Sequence, residues 1–268
     1  MADGGVASLA VTTLLPDGPR GQDAGVSGTV YLGGGGSVEQ ERNVWSAMLQ
    51  RRPRILYWPF ALPEEMLDGA QDWLRSGLDR LAAGLSLTTW ASLASHDPGE
   101  LGDFDLLLVG GGNTFSLLHE VREHSFADAP AAFVTRGGDY YGGSAGAILA
   151  GDSIAIAEWY DENEVAITDL SGLGLVGKFA LLPHYDPLAE VEARRWSAAH
   201  QVPVVAVPES SGLIVVEGVM TVAGPEPVWS ISGAGVHRHD SGTAVSVPDL
   251  ANPDGPQPRA AGVSPRSS

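Results

Sequence analysis

The chain has 268 residues, 33 of them acidic against 15 basic, a formal net charge of −18 at pH 7 and no cysteine. Such a length suits one large α/β domain with a sizeable core. The charge repels nucleic acid and anionic membranes, and the lack of cysteine excludes disulfides, thiolate metal sites and a Cys–His nucleophile. No apolar run approaches the ~18 residues of a membrane-spanning helix. Met1-Ala2-Asp3-Gly4 lacks a basic leader region, so a cytoplasmic location is expected.

Residues 1–26 are rich in Gly, Asp and Pro and read as a loose arm, and 248–268, rich in Pro, Ser, Gly and Ala, as a disordered tail. Over 27–247, strand and helix signals alternate without an internal repeat or a second domain. Thr29 to Leu32 is a short strand ending in Gly33 to Gly36. Ser37 and Gln40 have capping-box spacing and open a helix reaching Leu49. Arg54 to Trp58 is a strand. Pro63 suits a first helical position, and Met66, Leu67, Trp73, Leu74, Leu78 and Leu81 recur at helical spacing behind it. Leu85 to Trp90 reads as a further strand.

Phe104 to Val109 is apolar enough for a central parallel strand buried on both faces. It runs into Gly110-Gly111-Gly112-Asn113-Thr114, after which Phe115, Leu117, Leu118 and Val121 mark a helix face. Asp139 to Tyr141 and Phe179 to Leu182 are strands, Ala189 to Ala199 is a charged helix, and Val204 to Val207 is a strand. Leu213 to Ser232 suggests short antiparallel strands. Repeated strand–helix units imply an α/β fold of three layers, a mostly parallel sheet with helices on both faces.

Gly142-Gly143-Ser144-Ala145-Gly146 reads G-x-S-x-G between a strand and a small-residue helix start, the sequence of a nucleophile elbow. A serine hydroxyl needs a base, and the base an orienting acid. Among the seven histidines, His184 lies just past a strand, where catalytic groups collect in α/β sheets. His119 and His124 fall on a helix and read as solvated, and His237 and His239 as surface. Ala145, at a helix start, and Gly112, at a strand end, can offer N–H groups to an oxyanion. The glycine turn lacks the spacing of a dinucleotide site and the lysine of a P-loop, so no cofactor is expected, nor any metal.

Taken in order, Gly110-Gly111-Gly112-Asn113-Thr114-Phe115, Gly142-Gly143-Ser144-Ala145-Gly146-Ala147 and Pro183-His184 resemble the S51 serine peptidases. The family includes aspartyl dipeptidases and cyanophycinases, and the resemblance runs from about Thr29 to about Ser232. It implies a class I glutamine amidotransferase-like fold, Ser144 as nucleophile, His184 as base, and Gly112 with Ala145 as oxyanion donors. It also implies an acid between serine and histidine, where Asp161 is preferred over Glu158. The implied substrate is a short peptide with an N-terminal Asp. Arg194 on the helix after His184, with Arg195 its competitor, would grip that carboxylate, and Asn113 is a second substrate-binding candidate. A homodimer remains open. An α/β-hydrolase esterase using His237 or His239, and a non-catalytic or biosynthetic accessory member of the family, are the competing readings.

Overall fold

The computed structural model describes residues 27–246; the arm expected over 1–26 and the tail expected over 248–268 lie outside the described residues. In chain order the elements are β1 (Val30–Gly33), α1 (Arg42–Leu49), β2 (Ile55–Trp58), α2 (Glu64–Leu81), β3 (Leu87–Thr89), β4 (Leu106–Val109), α3 (Thr114–Glu123), α4 (Ala129–Thr135), β5 (Asp139–Gly143), α5 (Ala145–Leu149), β6 (Ala180–Leu182), α6 (Glu190–His200), β7 (Val204–Ala206), β8 (Gly212–Val216), β9 (Val219–Ala223), β10 (Val228–Ile231), β11 (Val236–His239) and β12 (Ala244–Ser246). No helix among the described residues is long and apolar enough to cross a membrane.

An eight-stranded sheet runs β12-β9-β8-β1-β5-β4-β2-β3. Its β1-β5-β4-β2-β3 block is parallel, while β8, β9 and β12 extend it antiparallel. Strand alternation divides the core in two. Leu106 and Leu108 of β4 pack with Val44, Trp45, Leu74 and Leu78 of α1 and α2. Leu107 and Val109 face the opposite way, among Phe115, Leu118 and Ile148 of α3 and α5. The strands read from Phe179 to Leu182 and Val204 to Val207 do not join this sheet. Antiparallel β8 fills the side of β1 that they would need. They pair in parallel with each other in a second sheet, β11-β10-β7-β6.

Two local expectations shift. The Ser37 and Gln40 side chains do bond each other's backbone N–H groups, but the helix starts only at Arg42. On α2 the structure buries Ala70, Leu74, Gly77 and Leu78, and leaves Met66 53% and Trp73 64% exposed. Helical spacing identified these two apolar side chains but not the fact that the first half of α2 overhangs a cavity.

Glu41 is 1% exposed. Its Oε1 accepts the N–H groups of Gly35 at 2.8 Å and Gly36 at 2.9 Å, and its Oε2 accepts the Tyr141 hydroxyl at 2.7 Å. One carboxyl therefore joins the turn after β1 to β5. Burial pushes its pKa up to about 7, although each of these hydrogen bonds pulls the other way. Between about pH 4.5 and about 7 the folded protein holds a proton here that the unfolded chain has released, so this group's contribution to stability falls as pH rises through that window. Glutamine keeps the acceptor oxygen and places an N–H donor toward Tyr141. Urea unfolding should therefore show Glu41→Gln losing less stability than the wild type between about pH 5 and about pH 8, by up to about 3 kcal/mol. Identical pH slopes for the two proteins would contradict this.

Candidate active site

Ser144 sits where β5 turns into α5, with φ 51° and ψ −111°. That backbone is unfavourable for a residue with a Cβ, and close packing around the turn holds it. A Cβ on Gly142 would lie 2.3 Å from the Gly146 carbonyl oxygen, and one on Gly146 would lie 2.4 Å from that of Val109. Helix and strands can approach this closely only with glycine at both places. The buried Tyr140 hydroxyl donates to the Gly146 carbonyl at 2.7 Å and braces the same turn. The result is a sharp strand-to-helix turn, with Ser144 half-buried at the C-terminal end of the parallel block.

The Ser144 hydroxyl lies 2.8 Å from His184 Nε2, and His184 Nδ1 lies 2.9 Å from Glu209 Oε1. A carboxylate only accepts, so the ring proton belongs on Nδ1, leaving Nε2 to accept from the serine hydroxyl. The His184 hydrogen bond holds the Glu209 carboxyl below the usual carboxylate range, opposed by the slight desolvation of this exposed group and helped by Gln40 Nε2–H at 3.3 Å. His184 directly follows the loop after β6, and Glu209 lies just past β7. These strands are parallel neighbours, so residues beyond their C-terminal ends emerge side by side. The His184 N–H donates to the Gly34 carbonyl at 2.7 Å. A Cβ on Gly35, whose φ is +96°, would lie 2.3 Å from His184 Cε1, so the glycine turn packs directly against the imidazole.

The acid is thus placed differently from expectation. Asp161 accepts the Thr114 backbone N–H at 2.8 Å, at the start of α3. Glu158 accepts from the Trp196 indole N–H at 3.3 Å. Neither carboxylate is the partner of His184, whose Nδ1 is bonded by Glu209. Its signal was a carboxylate just beyond an apolar strand, where α/β sheets collect functional groups. The His237 and His239 alternative fails for the same kind of reason. Both lie on β11, and His239 Nε2 meets the Ser230 hydroxyl at 2.8 Å. His119 and His124 pair with Glu123 and Glu120 on α3. With Glu120 and Glu123, His124 forms a trio whose ligand atoms lie within 4.8 Å of one another.

Of the oxyanion candidates, Ala145 is the first residue of α5 and Gly112 lies in the turn after β4. Ala145 N–H is among the donors that a helix start leaves unused. The glycine turn holding Gly112 borders Ser144, since a Cβ on the neighbouring Gly111 would lie 3.1 Å from the Ser144 Cβ. The substrate-binding candidates fare differently. Asn113 caps α3 by accepting the Ser116 N–H at 2.9 Å, and its amide donates to the Glu162 carbonyl at 2.9 Å. Both ends of that side chain serve the loop. Arg194 is exposed on α6. A cavity of about 630 Å³ opens beside Ser144, between α1, α2 and the ends of β2, β4 and β5, and neither Arg194 nor Arg195 is in its wall.

Residues 29–223 match peptidase family S51. Peptidase E of Citrobacter koseri is 33% identical over 159 residues, 54% of this chain and 66% of that protein. For peptidase E of Salmonella arizonae the figures are 33% over 137 residues, 47% and 58%. The matched region spans less than two thirds of these relatives' own lengths. Among solved structures, a peptidase from an acI-B1 Actinobacterium superposes with a TM-score of 0.60 at 16% identity, over 82% of this chain and 97% of that one. A candidate peptidase E from Listeria monocytogenes EGD-e gives 0.59 at 21%, over 74% and 98%. At such identities these likenesses speak to the fold alone. The sequence match spans the parallel block, the elbow and the loops that carry His184 and Glu209, and the chain belongs to peptidase family S51.

Proposed function

We propose that the protein is a serine peptidase that cleaves short peptides through an acyl-enzyme on Ser144. The observation behind this reading is the unbroken line from the Ser144 hydroxyl through both His184 nitrogens to Glu209. In the first half-reaction His184 Nε2 takes the hydroxyl proton as Ser144 Oγ attacks the scissile carbonyl. The N–H groups of Ala145 and Gly112 receive the developing oxyanion. His184 then protonates the leaving amine. In the second half-reaction it deprotonates a water that releases the acid from Ser144. Glu209 keeps the imidazole in the Nδ1–H tautomer and stabilises its charged form. An N-terminal aspartate, which the resemblance implied, would need a cation at the site. Arg194, the residue assigned to it, is outside the cavity wall, so the proposal stops at short peptides.

Ser144→Ala removes the attacking atom and almost no packing volume. It should lower kcat on the order of 10⁶-fold with an unchanged unfolding midpoint; substantial turnover by the folded variant would rule out the serine mechanism. The acids should separate sharply in amine-release assays. Glu209→Gln should cost roughly 10⁴ in kcat, the scale seen when a triad acid loses its charge. Asp161→Asn and Glu158→Gln should stay far closer to wild type. A large loss from Asp161→Asn with a mild one from Glu209→Gln would return the acid's role to Asp161.

A further inference from the structure

The cavity beside Ser144 differs in chemistry from a site for acidic side chains. Ser144 and Gly143 form part of its wall, so whatever fills it lies against the nucleophile. Its floor is Tyr57, Leu108 and Tyr141, residues on one face of three adjacent parallel strands. Its roof is α2, where Met66, Ala70, Trp73 and Leu74 line it at helical spacing. Met66 and Trp73 gain little from folding, being 53% and 64% exposed, yet they add apolar surface at the mouth. A ligand that covered them would recover that burial.

The charges point the same way. Among the described residues, no lysine, arginine or histidine lines the cavity, and the one carboxylate that does is Glu65. Behind Gly35 and Gly36 in the wall stands the buried Glu41. An aspartate side chain placed here would lose its hydration beside Glu65, without a cation among the described residues to offset it. At about 630 Å³ the space lies within the usual range for small-molecule pockets and accommodates an aromatic ring with part of its neighbouring residue.

We propose that this cavity is the specificity pocket of the peptidase, taking a large apolar or aromatic side chain of a residue flanking the scissile bond in preference to an acidic one. The proposal rests on the peptidase reading above for its substrate class. Gly69, on the cavity side of α2, offers a direct probe, because a Cβ added there meets nothing within 4 Å. Leucine is also the better helix former.

The test compares kcat/KM for the dipeptides X-Ala and Ala-X, with X as Ala, Asp, Leu or Phe. Full burial of one large apolar side chain is worth roughly 10- to 100-fold. In at least one of the two orders, Leu and Phe should therefore exceed Asp at least tenfold. Gly69→Leu, and independently Trp73→Ala at the exposed rim, should lower turnover of the Phe and Leu peptides several-fold more than that of Ala-Ala. A preference for Asp, or equal rates for Asp and Phe in both orders, would overturn the pocket assignment. If that turnover still vanished in Ser144→Ala, the peptidase reading would stand without it. Calorimetric binding of Phe-Ala, Ala-Phe, Asp-Ala and Ala-Asp to Ser144→Ala protein decides the pocket even if wild type cleaves none of them. Tighter binding of a Phe peptide, weakened by Gly69→Leu, supports it; equal, acid-favouring or absent binding overturns it.

Discussion

The buried Glu41 carboxyl fixes the relation between the two halves of the site. Through Tyr141 it holds β5, the strand that leads into Ser144. Through the Gly35 and Gly36 amides it holds the turn against which the His184 ring packs. Moving that turn by an ångström would move the imidazole relative to the serine hydroxyl. The arrangement asks an acid to sit in an apolar layer beside Trp45 and Tyr141, and burial answers by keeping its proton on near neutrality.

Around this tie, the proposed catalytic groups come from two sheets. Ser144 stands at the end of the large parallel block, while His184 and Glu209 follow adjacent parallel strands of the smaller sheet. The apolar cluster containing Trp58, Val109, Ile148, Leu181 and Val205 packs the two together. The geometry of the hydrogen-bonded line is therefore a property of sheet-on-sheet packing rather than of any single loop. The cavity opens on the opposite face of the large sheet, against α1 and α2, so the residues that would select substrate and those that would activate the nucleophile belong to different layers.

What could be read from the sequence was local. The apolar run of β4, the spacing of Phe115, Leu117, Leu118 and Val121 on α3, and the glycines around Ser144 each announce their structure within a few residues. His184 was legible as a polar residue at a strand end. Glu209 was not assigned, because its partnership depends on β6 pairing with β7, a contact that no nearby residue signals. Asp161 and Glu158 drew attention by lying between serine and histidine in the chain, but Thr114 and Trp196 occupy them. On α2, periodicity could not distinguish apolar residues facing the core from Met66 and Trp73 facing a cavity. The strands β11 and β12 were missed because their short, mixed polar sequences show little alternation.

The most direct measurement of the central claim is active-site labelling. Protein treated with an alkyl fluorophosphonate near neutral pH is digested and the modified peptide identified by mass spectrometry. If His184 and Glu209 activate Ser144, a single adduct forms on Ser144, and its rate falls by on the order of 10³ or more in His184→Ala. A folded protein that leaves Ser144 unlabelled, or that is labelled on another serine, would contradict the account.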